Sequence, residues 1–96
     1  MKNPPHPGRI VKEDCLPDLK LNVGSAALLL GVSRQTLDKI INGRSSITPD
    51  MAIRFERLFG STADVWLKLQ LAYDLALARG REAEIIATMG LRPVAA

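Results

Sequence analysis

The sequence predicts an all-α fold of five helices, the last one long, with a short sixth segment behind it. Three observations carry that expectation. Strict alternation between apolar and polar residues is confined to short stretches at 19–23 and 67–71, so the signature of a half-buried strand is weak. Aromatic residues are only 4% of the chain, whereas strands favour them. Helix starts and stops, by contrast, recur at intervals of 8 to 20 residues.

Residues 1–7 hold three prolines and are expected to form an irregular arm. Ile10, Val11, Cys15 and Leu16 follow at near-helical gaps, and Pro17 is expected to end that helix. Asn22 is a good N-cap for a helix from Val23 to Leu30. Gly31-Val32-Ser33 interrupts, and Ser33 caps a second helix that runs to about Asn42, with Gly43 able to take the left-handed terminal position. Thr48-Pro49-Asp50 places a capping hydroxyl, a first-turn proline and an acid at the positive end of the next helix. Ala52, Phe55 and Phe59 give it an apolar face, and Gly60 ends it. Ser61 or Thr62 opens the long helix, which closes on Arg79 and Gly80. It carries two apolar stripes. Leu67, Leu71, Leu75 and Ala78 form one, and Trp66, Leu69, Tyr73 and Ala76 the other. One stripe suffices for the core of its own chain, so the first is expected to meet a second copy. Residues 81–89 suit a short helix before Gly90. The divisions expected are an arm at 1–7, a domain at 8–80 and a tail or short helix at 81–96.

Composition narrows the function. With 47% apolar and 24% charged residues, the chain has ordinary globular usage, not that of a disordered segment. Ninety-six residues bury only roughly 60–65% of their unfolded surface, which makes dimerisation a natural support. One cysteine excludes an internal disulfide framework and a cysteine-rich zinc site. No apolar run reaches 18 residues, and the Pro-rich opening lacks the apolar centre of an export signal, so a cytoplasmic protein with no membrane segment is expected. Residues 1–60 carry nine basic and six acidic groups, while residues 61–96 carry four of each. All of the +3 surplus therefore lies in the first two thirds, as a nucleic-acid face on that half requires.

Residues 23–42, VGSAALLLGVSRQTLDKIIN, concentrate that possibility. Two helices crossing steeply need a tiny residue at the contact, and Ala27 supplies it. Gly31 stands four residues later, where the turn asks for positive φ. Val32, Leu37 and Ile40 then rest the second helix on the first. With those turned inward, Arg34, Gln35, Asp38, Lys39 and Asn42 face out. Arg34 matches guanine O6 and N7, Gln35 matches adenine N6 and N7, and the Thr36 methyl suits thymine. Ser33, Asn42, Arg44 and the helix opened by Asn22 suit phosphates of double-stranded DNA.

From Val23 to Trp66 the sequence resembles the lambda-repressor-like, or XRE-type, helix-turn-helix domain. Residues 6–75 resemble one branch of it, the HigA-type antitoxins, through HPGRI at 6–10, GVSRQTLDKIINGRSSITPDMAIR at 31–54 and WLKLQLAYDL at 66–75. The resemblance implies a homodimeric autorepressor that binds operator DNA and neutralises an mRNA-cleaving toxin of the RelE/HigB type. It carries base contacts onto Ser33, Arg34, Gln35, Thr36 and Lys39, with Asn42 and Arg44 on phosphates. Leu28 and Leu29 depart from the family by standing at usually polar positions. They are expected to pack on the N-terminal helix or the linker, a partner surface being the alternative.

No constellation for catalysis is present, and neither an enzyme nor a cofactor is expected. His6 has no second histidine and no nearby cysteine, and is expected to cap or pack at the first helix. Cys15 is expected to be a small buried hydrophobe. The acids gather only as Glu13-Asp14-Asp18 and Glu82-Glu84. A basic toxin would seek an acidic complement, and Glu13 and Asp14 are the chosen toxin contacts. The alternatives are a phage-like or housekeeping helix-turn-helix repressor with no toxin, and a protein-interaction module that no longer binds DNA.

Overall fold

Six helices and no strand make up the described residues, 3–91, of this computed structural model. The first two residues of the expected arm and the last five of the expected tail lie outside them. Helix α1, residues 8–18, is α-helical over Gly8–Ile10, widens to a π turn over Val11–Cys15 and returns to α over Leu16–Asp18. The helix ends at Asp18, one residue after Pro17, so Pro17 marks its end as the sequence suggested. A proline ring collides with the carbonyl four residues earlier, and the wide turn closed by the Leu16 N–H on the Val11 carbonyl makes room just ahead of it. The chain turns away where the Leu21 N–H reaches the Leu16 carbonyl at 2.9 Å and Lys20 takes a left-handed φ of 55°.

Helices α2 (Val23–Leu30) and α3 (Arg34–Ile41) form the helix-turn-helix. Ala26, Ala27 and Leu30 of α2 and Leu37, Ile40 and Ile41 of α3 are all buried. Gly31 turns the chain at φ 73°, and its N–H closes α2 on Leu28. The turn is held from outside as well: Arg54 Nη1 donates to the Leu30 carbonyl at 2.7 Å. Helix α4 (Pro49–Phe59) starts under the Thr48 cap and ends at Gly60. It lies under α5 (Ala63–Arg79), where the Phe55 and Trp66 rings meet edge-on at 5.3 Å. Glu56 joins the two helices by accepting from the first N–H of α5, that of Ala63, at 2.8 Å.

One polar residue sits in that core without warning from the sequence. Gln70 is buried, accepts the Ile47 N–H at 2.8 Å and donates to Asp74 at 3.0 Å. It satisfies a backbone donor in the α3–α4 loop that no helix serves. Beyond Asp74, α5 leaves the body. It ends at Arg79, but Gly80 is right-handed (φ −62°), and the chain continues into α6 (Glu82–Ala87), which is exposed throughout. The outline is elongated, 59 × 23 × 20 Å, and the radius of gyration of 16.9 Å exceeds the ~12.5 Å of a compact chain this long.

Two further placements differ from expectation. His6 and Pro7, in the predicted arm, are buried. Leu28 and Leu29 pack on neither the N-terminal helix nor a linker; they are 81% and 62% exposed. Both stand on the face of α2 opposite Ala26, Ala27 and Leu30, which leaves them no core to join.

Candidate nucleic-acid interface

The second helix of the unit is presented amino end first. Ser33, in extended conformation, accepts the Thr36 N–H at 3.0 Å and donates its own hydroxyl to Thr36 Oγ1 at 2.8 Å. The two hydroxyls thus lock the first turn, and the Thr36 hydroxyl proton and methyl group stay available. Arg34, Gln35, Thr36 and Lys39 are all exposed. The cations of the three ion pairs among the described residues are Arg9, Arg54 and Arg79, so Arg34, Lys39 and Arg44 are all uncommitted to a carboxylate there. The only acid along 33–44 is Asp38, whose Oδ1 lies 3.3 Å from the Asn42 amide. The face between Ser33 and Arg44 is therefore polar, cationic and open.

The expected phosphate-facing residues are held in different ways. Asn22 spends its Oδ1 on the Ser25 N–H at 2.8 Å, which leaves its amide donors free. Asn42 is more committed. Its amide donates to the Asp38 carbonyl at 2.9 Å, and its oxygen accepts from Lys12 Nζ at 3.1 Å. It ties α1 to the end of α3, so contact with phosphate requires exchange of the Lys12 bond. Arg44 rides on the turn that closes α3, where its N–H reaches the Lys39 carbonyl at 2.8 Å and Gly43 takes φ 73°.

Behind that turn lies a junction that sequence reasoning missed. A Cβ on Gly8 would stand 1.9 Å from the Ile40 carbonyl oxygen, so α1 meets the end of α3 backbone to backbone. His6 Nδ1 accepts the Gly8 N–H at 2.9 Å, and the ring stands edge-on to Tyr73 at 4.8 Å. Burial holds the imidazole below its ordinary range, against the Ser45 backbone and Asp74, which favour the proton. The expectation that His6 caps or packs at the first helix was right in kind; that it reaches α5 and the α3–α4 loop was not visible in a lone histidine. Only its company of Pro5, Pro7 and Gly8 hinted at a fixed backbone.

The remaining candidates lie apart. Leu71 and Leu75 are 65% and 48% exposed, while Leu67 and Ala78 are half-buried at the edge of the same stripe. Trp66, from the other stripe, is buried. Glu13 pairs with Arg9 at 3.0 Å at the rim of the cleft between α1 and the turn after α3, and Asp14 is exposed beside it. Cys15 is half-buried, and burial together with Asp14 and Asp18 pushes its thiol up, away from thiolate chemistry. Among the described residues there is no cluster of metal-ligating side chains, and no helix is long and apolar enough to cross a membrane.

A five-helix core with a capped, outward-facing second helix defines a helix-turn-helix regulator domain. The helix-turn-helix family model matches residues 18–66. Virulence-associated protein A' of Dichelobacter nodosus is 46% identical over 77 residues, covering 79% of this chain and 66% of that protein. Antitoxin HigA-1 of Vibrio cholerae is 31% identical over 83 residues, covering 86% of this chain and 78% of that one. A solved structure of the Pseudomonas aeruginosa antitoxin HigA with the higBA promoter superimposes with a TM-score of 0.83 at 32% identity, covering 97% of this chain and all of that one. The chain belongs to the helix-turn-helix family of transcription regulators and, within it, to the HigA-type antitoxins.

Proposed function

We propose that the protein is a dimeric autorepressor that binds operator DNA through α3 and neutralises an mRNA-cleaving toxin of the RelE/HigB type. The observation that carries the DNA half is the exposed face from Ser33 to Arg44, in which Arg34, Gln35 and Lys39 stand on a helix capped by Ser33 and Arg44 on the turn after it. The likeness to a HigA antitoxin solved with promoter DNA supports it. In this reading Arg34 and Gln35 read bases, Ser33, Thr36 and Lys39 flank them, and Asn22, Asn42 and Arg44 meet phosphates. The exposed stripe through Leu67, Leu71, Leu75 and Ala78 pairs two copies, so that two α3 helices reach half-sites about 34 Å apart. Glu13 and Asp14 meet the toxin on α1, which touches the carboxyl end of α3 and so leaves the reading end free. No catalytic role is assigned. Coexpression with the product of a small basic reading frame beside this gene tests the antitoxin half: the pair should copurify, and charge reversal at Glu13 and Asp14 should weaken copurification while operator binding persists.

A second reading, a regulator without a toxin, is favoured by relatives described only as transcriptional regulators. One from Haemophilus influenzae is 36% identical over 74 residues, above the 31% shared with HigA-1. A neighbouring frame that is harmless when expressed alone would decide for it.

A further inference from the structure

We propose that His6 is a positioning residue for DNA binding, whose neutral ring holds the Gly43–Ser45 turn in place and whose protonation releases it. The inference rests on the reading that Arg44, in the middle of that turn, meets the DNA backbone.

The geometry fixes the tautomer. Nδ1 accepts the Gly8 N–H at 2.9 Å and so carries no proton; the proton of the neutral ring sits on Nε2. The ring also lies against Gly43, where a built Cβ stands 3.7 Å from His6 Cβ and Cγ, and against the Tyr73 ring at 4.8 Å. One buried side chain therefore touches the start of α1, the turn after α3 and the middle of α5. An imidazolium cannot accept from Gly8, since both its nitrogens are donors. Protonation breaks that bond and puts a charge where burial opposes it more than the Ser45 backbone and Asp74 favour it, so the ring leaves the start of α1 and its packing against Gly43 is lost.

The charged groups around the ring are of both signs. Asp74 on α5 favours the imidazolium, as does Glu13 on α1; Arg9 and Lys12, which line the same cleft of about 470 Å³, disfavour it, and Glu13 is already paired with Arg9. Tyr73 is the other titratable neighbour, and the cleft residues from α3 and its turn, Ile41, Asn42 and Gly43, bring no charge. His6 is the sole histidine, so no other imidazole titrates between pH 5 and 8.

The test is operator affinity from pH 7.5 to pH 5 at constant ionic strength, for the wild type and His6→Gln, with the Gly43, Arg44 and Ser45 amide resonances followed in the free protein. Gln supplies an uncharged, non-titrating amide in place of the ring. The wild type should lose about tenfold in affinity at the acid end, equivalent to ~1.4 kcal/mol. His6→Gln should start weaker and show a flat profile, and the three amides should shift with the histidine titration. Equal pH profiles for both proteins, or turn amides that ignore the titration, would overturn the proposal. Amides that shift in a protein that binds no operator at any pH would instead sink the DNA reading and leave the clamp standing. A His6→Gln chain that melts earlier yet keeps the wild-type pH dependence would make His6 a packing residue only.

Discussion

At position 8 a methyl group would lie 1.9 Å from the Ile40 carbonyl oxygen, well inside contact distance with rigid backbone. Gly8→Ala should therefore cost at least ~1–3 kcal/mol of stability, read from urea unfolding, because α1 must retreat from α3. Lys20 presents the opposite case. Its left-handed φ of 55° costs a side-chain-bearing residue roughly 1–2 kcal/mol, so Lys20→Gly should stabilise the fold, by a net ~0.5–1 kcal/mol once the freer unfolded chain is counted. Gln70→Leu should destabilise by ~1–3 kcal/mol, since the Ile47 N–H is left buried without an acceptor. For His6 the folded state disfavours the proton relative to the ordinary value of 6.5. Its contribution to stability is thus whole above pH 6.5 and declines as pH falls from there toward the depressed folded value. A stability that rises on acidification through that window would contradict the sign. These four residues share a reason for being hard to read in sequence: each depends on a partner 20 or more positions away, or on a backbone angle, and neither leaves a local pattern.

Elements were far more legible. Asn22, Ser33, Thr48 and Thr62 all cap as their residue types suggested, each accepting an N–H three positions on, and Gly31, Gly43 and Gly60 turn the chain at positive φ. Capping is a local bond between near neighbours, so sequence carries it almost complete. Pro17 marks the end of α1 to within a residue, but the π turn before it is not announced by residue type. The same locality governs what α3 is expected to do. Arg34→Ala and Gln35→Ala should each relax preference at one base position per half-site, by ~1–3 kcal/mol, measured against a panel of single-base operator variants. Lys39→Ala and Arg44→Ala, the latter on the turn beyond the helix, should instead weaken binding to all sequences alike and lower the salt dependence. The outward face of α3 was legible for the same reason as its caps, namely that a helix of known register assigns every side chain to a side.

The whole molecule is longer than its core requires. Past Asp74 the end of α5 and all of α6 extend from the body, and Leu71, Leu75, Leu77, Ile85 and Ile86 are exposed. The sequence's surplus stripe anticipated this, although it gave no hint that α6 would find nothing to cover it. The proposed second copy, laid along that stripe, would cover the exposed leucines. Leu71→Glu should then leave a folded monomer in sedimentation, because Leu71 is 65% exposed and contributes little to its own core. Such a dimer, covering roughly 6–10 phosphates, should lose ~10³–10⁵ in operator affinity between 50 and 200 mM salt.

The central claim is that the exposed amino end of α3 reads DNA sequence. Its most direct test is a titration of the promoter fragment ahead of the protein's own gene, and of a scrambled duplex of equal length, with wild type and Arg34→Ala at one salt concentration. The account predicts that the wild type prefers the promoter and that Arg34→Ala loses much of that preference while binding the scrambled duplex nearly as before. An Arg34→Ala protein that keeps the full preference would contradict it.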